Sequence, residues 1–572
     1  MSRGGRAVIR AATCLAILGL TTGCRPRPTT VGAAPPTAAR PDRFQRVTEA
    51  AGIDFTHRDG SSGRHYFPEV MGAGCAFVDL TGDGLPDIYL VNGAPLPGAP
   101  ADNTPRNRFY RNLGDGSFVD ETAASGLGDS GYGLGCCAGD FNGDGLIDLY
   151  VTNLGRNALY QNNGDGSFSN VARQAGVDTP GFSTGAAFAD YDGDGLLDLY
   201  VCDYVDWTPE TNVTCEAPDG QRQVPVYCRP LVYPAAPNHL YRNTGKGTFS
   251  EVTAESRMTK PPGRSLGCLW ADVDNDGDLD LYVANDGTAN FLFINQGDGR
   301  FTEEATARGV ALSESGQPQA SMGVAAPDYD GDGWLDLAVT NFSGEYTALY
   351  RNVGNGHYQD VSAATGIRRL SSKYVGFGIG FPDLDLDGRP DVFIANGHVT
   401  EAGERFYAGV TLAQPNLALR NDGRGFAPFS NPGPALGEPR VSRGAAFADY
   451  DGDGDLDALV LNWRGQPDLL RNEGPERGNW LRLALASPAG RLPTIGARVQ
   501  VTAGGRTAIQ AVTSGGSYCS QNELILTFGL GEAKQAERVQ VRWPDGRLEV
   551  WRDLAAGAGR ELRRGTGDAS SP

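Results

Sequence analysis

The sequence predicts an all-β fold on three observations. A nine-residue acidic loop occurs seven times, short apolar stretches with strand-like alternation flank every copy, and glycine accounts for 80 of the 572 residues. Turn-rich sequences built from many short strands are typical of all-β proteins, and a tandem repeat of four strands is the pattern of a β-propeller. We therefore expect a seven-bladed β-propeller with calcium-binding loops, followed by a small C-terminal β domain.

The acidic loop is clearest at residues 190–198, which read DYDGDGLLD. Side-chain oxygens stand at positions 1, 3, 5 and 9, and glycine stands at position 6 in every copy. Hard cations such as Ca²⁺ bind six to eight oxygen ligands, and a sharp turn lets alternate side chains converge on one point. Position 12 is apolar, so the motif is not an EF-hand, which needs a glutamate there. The spacing predicts a strand-loop-strand metal site.

The predicted metal ligands are the residues at positions 1, 3, 5 and 9 of the seven loops. They are Asp79, Thr81, Asp83 and Asp87; Asp140, Asn142, Asp144 and Asp148; Asp190, Asp192, Asp194 and Asp198; Asp272, Asp274, Asp276 and Asp280; Asp328, Asp330, Asp332 and Asp336; Asp383, Asp385, Asp387 and Asp391; and Asp449, Asp451, Asp453 and Asp457. Each loop supplies a nearly complete oxygen shell, whereas a catalytic metal keeps an open position. We predict up to seven structural ions and no catalytic or organic-cofactor residues.

In a full unit, the loop is followed by an apolar strand, a segment such as LYQN, a turn such as Gly-Asp-Gly and a strand that begins with Phe or Tyr. These short strands and turns are the signature of β-hairpins. The seventh copy lacks its last strand, and an unmatched copy of that strand starts at Phe44. If the two pair, the ring closes without an exposed sheet edge. An insertion at residues 203–235 is expected to project as a surface loop.

Charge and composition limit the classes of partner. The formal net charge is −20, which argues against a nucleic-acid partner. The predicted ligand positions hold 26 of the 69 acidic residues, so much of this charge is interpreted as ligand charge.

The amino terminus is interpreted as an export signal at residues 1–24. It has a basic start, an apolar core at residues 11–20 and a Gly-Cys ending that resembles a bacterial lipobox with Cys24 as the lipid-carrying residue. The alternative is simple secretion without a lipid. Residues 25–42 are rich in proline and are interpreted as a linker. The expected location is the outer membrane or cell surface as a lipoprotein, or else the periplasm or the medium, with membrane contact only through the lipid anchor.

Cysteines divide into three groups. Cys215 and Cys228 lie in the insertion, and we predict that they form a disulfide, as an exported protein permits. Cys75, Cys136 and Cys268 share one repeat position and are predicted to be small buried residues. Cys137, Cys202 and Cys519 have no predicted role.

The repeated DxDGDGxxD followed by LYxNxGDGxF resembles the FG-GAP/VCBS repeat family over residues 43–475. That resemblance implies one Ca²⁺ per loop, held by side chains at positions 1, 3, 5 and 9 and by the carbonyl of position 7. Residues 476–565 resemble the ASPIC/UnbV domain through segments such as IGARV, GGSY, SQN, FGLG and WPDG, with a tail at residues 566–572. The combination looks like an exported bacterial form of the cartilage acidic protein-like family.

Two functional hypotheses follow. The first is a cell-surface binding or adhesion-type protein, with a protein or glycan partner and no catalytic activity. The second is a carbohydrate-active or other enzyme that uses the propeller as a scaffold. Ser183 stands in a G-x-S-x-G pattern, but the repeat places serine or glycine at the equivalent position of every unit, so we interpret it as repeat architecture. A binding site near His57, His65 and Glu69 competes with an ordinary polar loop, and the insertion is a candidate partner surface.

Overall fold

The computed structural model describes residues 42–100, 106–219, 222–399, 410–474, 477–487 and 494–569. Strands predominate among them and every helix is short, three to five residues, so the predicted all-β class is confirmed. In the described part of the chain, no helix has the length and apolar character to cross a membrane. The predicted signal at residues 1–24, with Cys24, lies outside the described residues, as does the linker apart from residue 42.

Each acidic loop belongs to a group of four antiparallel strands, which we call a unit. The loop connects the first two strands, because its glycine-rich turn reverses the chain between two apolar runs. Units 1 to 3 contain β2 (Cys75–Val78), β3 (Asp87–Leu90), β4 (Arg108–Asn112) and β5 (Phe118–Asp120); β6 (Tyr132–Gly139), β7 (Asp148–Arg156), β8 (Ala158–Asn162) and β9 (Phe168–Asn170); and β10 (Pro180–Ala189), β11 (Asp198–Asp203), β14 (His239–Asn243) and β15 (Phe249–Glu251).

Units 4 to 7 repeat this order. They contain β16 (Ser265–Ala271), β17 (Asp280–Asn285), β18 (Phe291–Asn295) and β19 (Phe301–Glu303); β20 (Val324–Ala325), β21 (Leu337–Val339), β22 (Ala348–Asn352) and β23 (Tyr358–Asp360); β24 (Gly376–Gly380), β25 (Val392–Asn396), β26 (Leu417–Asn421) and β27 (Phe426–Pro428); and β28 (Ser442–Ala448), β29 (Asp457–Asn462) and β30 (Asp468–Asn472) with β1 (Phe44–Arg46). The short helices are α1 (Thr122–Ser125), α2 (Ala172–Ala175), α3 (Ala305–Arg308), α4 (Ile367–Ser371) and α5 (Pro434–Gly437), with 3-10 turns at Phe67–Val70 and Pro230–Val232.

The two ends of the repeat region meet in one sheet. Strand β1 pairs antiparallel with β30, with Phe44 opposite Asn472 and Arg46 opposite Leu470. The first strands of successive units pack side by side from β2 to β28, and β28 in turn packs against β2. Closure of a seven-bladed ring by the amino-terminal strand stays a prediction.

The insertion differs from its prediction. It carries a two-stranded hairpin of β12 (Cys215–Asp219) and β13 (Arg222–Val226), and Cys215 and Cys228 are joined by a disulfide. However, Trp207 and Tyr233 are buried rather than projecting. The Tyr233 ring packs 5.0 Å from the ring of Phe67. This contact is favourable because it removes apolar surface of the insertion and of the connection before β2 from water. The expectation of a projecting loop was therefore wrong for these two aromatic residues.

Among the residues that the structure describes, all free cysteines are buried. Cys75, Cys136 and Cys268, predicted to be buried, are each exposed by 1% or less. Cys137, Cys202 and Cys519, which had no predicted role, are also buried and unpaired. Six buried thiols thus behave as small apolar residues of the core.

The C-terminal residues form two sheets. One contains β31 (Asn479–Ala486), β34 (Leu526–Gly531) and β37 (Ala558–Arg563). The other contains β32 (Arg498–Ala503), β33 (Arg506–Ala511), β35 (Gln535–Arg542), β36 (Leu548–Ala555) and β38 (Asp568–Ala569). Their inner faces share a hydrophobic core with residues of units 2 and 3, among them Phe141 and Leu197. The C-terminal domain therefore packs directly on the face of the repeat region that carries the acidic loops.

Candidate metal sites

Five of the seven loops bring three carboxylates together, with the candidate ligand oxygens within 4.8 Å of one another. In units 3, 4, 5 and 7 these are the carboxylates of positions 1, 3 and 5. In unit 6 they are Asp383, Asp385 and Asp391, at positions 1, 3 and 9. Among the described residues, units 1 and 2 lack such a triad, and in both of them position 3 is not a carboxylate but Thr81 or Asn142. These clusters can hold metal ions.

Backbone N–H groups hold the loops in this shape. The position-5 carboxylate accepts the N–H of position 7 in every loop, at 2.9–3.2 Å. The position-9 carboxylate accepts the N–H of position 2 in every loop, at 2.9–3.3 Å. The glycine at position 6 has a φ between 86° and 106° throughout, a conformation that other residues resist. The loop sequence thus preorganises its oxygens.

Several loop oxygens are buried without a hydrogen-bond donor. They include Oδ1 of Asp190, Asp272, Asp274, Asp385 and Asp451 and the hydroxyl oxygen of Thr81. A buried polar atom without a partner costs free energy, about 1–3 kcal/mol, more for a charged group. A cation at the centre of the loop would give these oxygens the positively charged partner that no hydrogen-bond donor supplies. The residues present therefore fit a hard divalent ion.

Burial also changes the acidity of the loops. It raises the pKa of Asp87 to about 7, that of Asp148 to about 8 and that of Asp198 to about 9, because each carboxylate leaves water. The neighbouring loop carboxylates repel the same charge; for Asp198 these are Asp192 and Asp190. A divalent ion would favour the charged forms by opposing both effects.

Arginines supply positive charge to the later loops. Arg351 lies 2.5 Å from Asp330, Arg420 lies 2.6 Å from Asp385, and both arginines come from the third strand of the loop's own unit. These side chains are about 40% exposed, so each pair contributes little to stability by itself. They reduce the repulsion among clustered carboxylates.

One asparagine per unit links each loop to the loop before it. These residues are Asn112, Asn162, Asn243, Asn295, Asn352, Asn421 and Asn472, the last residue of every third strand. The side-chain amide donates to the position-8 carbonyl of its own loop. It also donates to the position-2 carbonyl of the preceding loop at 2.7–3.0 Å. Asn112 completes the series by reaching Tyr450 of unit 7.

These asparagines had no predicted role, although their recurrence in the LYxN segment is visible in the sequence. Recurrence alone does not show whether an asparagine side chain binds a metal ion or joins two units. Only the folded arrangement shows that each amide spans two units, because its two acceptor carbonyls lie far apart in sequence.

The C-terminal domain also contributes side chains to the loops. Arg482 lies 3.1 Å from Asp449 and 2.5 Å from Glu523, and the N–H of Asp449 donates to Glu523 at 3.3 Å. Arg498 donates to the side chain of Asn275 and to the carbonyl of Gly333. None of these was predicted, because no local motif marks an arginine that reaches another domain.

The G-x-S-x-G serine is structural. The Ser183 hydroxyl donates to Asp203 at 2.7 Å and accepts from Asn157 at 2.9 Å. His239 approaches the other Asp203 oxygen at 3.4 Å, and in the described part of the chain the hydrogen-bond partners of the Ser183 hydroxyl are Asp203 and Asn157 rather than a histidine. The equivalent hydroxyls of Ser265, Ser321 and Ser442 donate to an asparagine at the matching repeat position, at or just beyond the end of the second strand. This repeated contact supports the interpretation as repeat architecture.

Two of the three residues of the suggested histidine site are buried. Glu69 is 1% exposed and accepts the Tyr227 hydroxyl at 2.7 Å, while its carbonyl accepts the Trp463 indole N–H at 2.6 Å. His57 accepts the N–H of Arg464, and burial lowers its pKa to about 3. The His65 ring lies 5.0 Å from that of Tyr227. The two Tyr227 contacts tie the insertion to the connection before unit 1, and the His57 and Glu69 side chains are 2% and 1% exposed.

A polar cleft of about 620 Å³ opens between units 4 and 5 and the connection to unit 6. Its lining includes Arg368, Arg369, Tyr346 and Gln317. The Arg368 guanidinium lies 4.5 Å from the centre of the Tyr346 ring and 2.8 Å from Glu314. Arginine, hydroxyl and amide groups around an open cleft suit a polar ligand.

Comparison with known proteins agrees with the repeat architecture. The family model described as FG-GAP-like repeat matches residues 79–151, 140–201, 230–283, 272–339, 328–394 and 383–460, and the model described as ASPIC and UnbV matches residues 488–569. Cartilage acidic protein 1 of Homo sapiens is 27% identical over 319 residues, which cover 54% of this chain and 44% of the human protein. The match thus spans less than half the length of that relative.

Two solved structures are distantly similar. An Agrocybe aegerita lectin that recognises non-reducing terminal N-acetylglucosamine has a TM-score of 0.38 and 15% identity, covering 71% of this chain and 95% of the lectin. A Bacillus licheniformis rhamnogalacturonan lyase has a TM-score of 0.27 and 11% identity, covering 59% and 71%. Likenesses this distant carry no conclusion about activity. The family matches show that the chain belongs to the FG-GAP-like repeat family, is homologous to cartilage acidic protein 1 and has an ASPIC and UnbV domain at its C-terminal end.

Proposed function

We propose that the protein is an exported, calcium-stabilised seven-bladed propeller that binds a protein or glycan at the cell surface and has no catalytic activity. The observation that supports it most is the set of buried loop oxygens without donors, repeated around the molecule. Repetition favours a scaffold role, since one active site would need only one metal. The ligand-binding role then falls to surfaces outside the loops.

Calcium supplies a sizeable share of the stability in this proposal. With dissociation constants of ~10⁻⁴–10⁻³ M, as in extracellular modules, and ~1 mM Ca²⁺, each site contributes roughly 0.4–1.4 kcal/mol. Seven such sites contribute about 3–10 kcal/mol, against a typical net stability of ~5–15 kcal/mol. The loops then determine whether the protein stays folded rather than what it binds.

The polar cleft lined by Arg368 and Arg369 is the proposed ligand site. Its volume of about 620 Å³ lies within the ~300–1,000 Å³ range of small-molecule sites. Its polar lining favours a sugar chain or a polar peptide over an apolar ligand.

Calcium dependence is tested by thermal melts with excess Ca²⁺ or excess chelator, together with an ion count by mass spectrometry after dialysis. We expect the midpoint to fall strongly in chelator and Asp451→Ala to lose calcium and stability. Glu255→Ala, an exposed residue outside the loops, is the matched control. An unchanged midpoint without calcium, or a protein that retains no ions, would contradict the scaffold role.

The binding role is tested with a glycan array and a cell-surface pull-down in Ca²⁺. We expect Arg368→Ala/Arg369→Ala to lose at least about tenfold in affinity, equivalent to ~1.4 kcal/mol. Arg424→Ala, an exposed arginine in the turn of unit 6, is the matched control and should bind normally. Equal binding by the double variant would refute the cleft as the site. Turnover of a polysaccharide by the wild-type protein would refute the non-catalytic role.

A further inference from the structure

The polar cleft lies at the end of units 4 and 5 that is opposite the acidic loops. Its walls are three connections: residues 313–319 before β20, residues 344–346 between β21 and β22, and residues 363–372 between β23 and β24. The acidic loops join the first two strands of each unit, so in an antiparallel unit these connections lie at the other end of the strands. No described residue of the C-terminal domain lines the cleft, which is therefore open to a ligand.

One wall of the cleft is basic, although the protein is strongly acidic. The formal net charge is −20, yet residues 367–375 read IRRLSSKYV, with cationic side chains and no carboxylate. Arg368 and Arg369 of this segment lie on α4 and line the cleft. A positively charged wall attracts anions and repels cations, so this local reversal of sign favours an anionic ligand.

Arg369 is the cation of the cleft that has no partner in the described part of the chain. It is exposed, and neither an ion pair nor a hydrogen bond engages its side chain among the described residues. Arg368, by contrast, lies 2.8 Å from Glu314. A guanidinium presents its N–H donors in a planar fork that matches a carboxylate. Arg369 therefore offers an unused bidentate contact at the wall of an open cleft.

Arg368 covers the aromatic ring of the cleft. Its guanidinium lies 4.5 Å from the centre of the Tyr346 ring, and the Tyr346 hydroxyl donates to Asp360 at 2.8 Å. Tyr346 is only 6% exposed. This ring thus presents no open face on which a neutral sugar ring or an apolar side chain could stack.

The carboxylate of Glu345 also lines the cleft, but it is already bound to the backbone. Its Oε2 accepts the N–H of Ala320 at 3.0 Å and the N–H of Phe342 at 3.2 Å. Charge-assisted hydrogen bonds of this kind partly compensate a negative charge. Glu345 therefore opposes an anionic ligand less than an unpaired carboxylate would.

The remaining lining suits the hydroxyl groups of a sugar. Ser313, Ser315 and Gln317 supply hydroxyl and amide groups that can both donate and accept hydrogen bonds. A peptide is usually anchored by aromatic or aliphatic side chains in apolar pockets. Apart from the covered tyrosine, the described lining has only Pro318 and Ala363 as apolar side chains. The lining therefore favours a saccharide over a peptide.

We propose that the cleft binds an acidic saccharide of the uronic acid class, with the sugar carboxylate paired to Arg369 and the sugar hydroxyls bound by the serine and glutamine side chains. This inference rests on the proposed binding function and names the ligand class of that site. Arg368 adds positive charge and keeps the Tyr346 ring closed to neutral sugars.

The test is isothermal titration calorimetry of the full-length protein in Ca²⁺, with trigalacturonic acid and with its methyl ester as probes. The two probes share rings and hydroxyl groups, and the ester lacks the negative charge. We expect the acid to bind at least about tenfold more tightly than the ester, because the ester forms no charge-assisted hydrogen bond with Arg369. The affinity for the acid should also fall as the salt concentration rises. Equal affinities for the two probes would overturn the proposal.

Variants then locate the contact. Arg369→Ala should lose about tenfold or more in affinity for the acid, and Arg369→Lys should lose less, because lysine keeps the charge without the planar fork. Arg173→Ala, an exposed arginine on the short helix α2, is the matched control and should bind as the wild type does. Affinity for the acid that Arg369→Ala leaves unchanged would overturn the proposal.

Further outcomes separate this inference from the proposed function. A preference for a sulfated saccharide or an acidic peptide over trigalacturonic acid would overturn the uronic acid class. Binding of neither probe, together with a different ligand from the array or pull-down that Arg368→Ala/Arg369→Ala no longer binds, would overturn this inference and leave the proposed binding function intact. Absence of any ligand in all three assays would overturn both.

Discussion

Replacing Asn112 with alanine tests whether the first and last units are joined. Its side chain is fully buried and donates to the carbonyl of Pro86 at 3.0 Å and to that of Tyr450, in unit 7, at 2.9 Å. It also accepts the N–H of Gly114 at 2.9 Å. Alanine leaves two carbonyls without a donor, and each unpaired buried group costs about 1–3 kcal/mol. We expect the free energy of unfolding to fall by about 2–5 kcal/mol.

The assay is urea denaturation in saturating Ca²⁺, followed by fluorescence and circular dichroism. Asn352→Ala is the comparison inside the ring, since Asn352 donates to Leu335 and Val273 as Asn112 does to its own pair. Exposed Asn163→Ala is the neutral control, expected within about 0.5 kcal/mol of wild type. If Asn352→Ala costs several kcal/mol and Asn112→Ala less than about 1 kcal/mol, the link between units 1 and 7 does not hold in solution.

Three further predictions concern the buried His57, the Ser183 hydroxyl and the Cys215–Cys228 disulfide. Burial holds the pKa of His57 near 3, well below its unfolded value of ~6.5, so the unfolded chain binds the extra proton between these values. Stability should therefore fall by up to ~1.4 kcal/mol per pH unit on acidification through that range, and a His57→Gln titration by urea melts should lack this slope. Ser183→Ala should cost about 1–3 kcal/mol, because it leaves the buried Asp203 carboxylate one donor short, and should leave any hydrolytic background unchanged in an ester assay. Reducing the Cys215–Cys228 disulfide should expose the insertion to limited proteolysis, and equal cleavage rates before and after reduction would contradict this.

The repeat made much of the fold predictable. The all-β class and the glycine at position 6 of every loop follow from local rules, because a turn with positive φ and alternating strands leave their pattern in neighbouring residues. The pairing of Cys215 with Cys228 was predicted for the same reason, since both lie in one short insertion. The expected projection of Trp207 and Tyr233 failed because their burial depends on Phe67, which is distant in sequence.

Only part of the candidate metal sites could be predicted from the sequence. Ligand identity at positions 1, 3, 5 and 9 is a property of nine consecutive residues and could be predicted. That Arg482 of the C-terminal domain reaches Asp449, or that Asn112 reaches Tyr450, could not, because each contact joins residues from separate strands.

By itself, the sequence determined the all-β class, the acidic loops and the repeated unit, since each is encoded within a span short enough for local sterics and ligand spacing to act. The tertiary structure alone decided that residues 513–523 lie along the axis and that the later loops contact the C-terminal domain. Those contacts depend on the summed geometry of seven packed units. No short stretch of the chain carries that information, because the buried polar groups of residues 513–523 find their partners only after all the units have assembled.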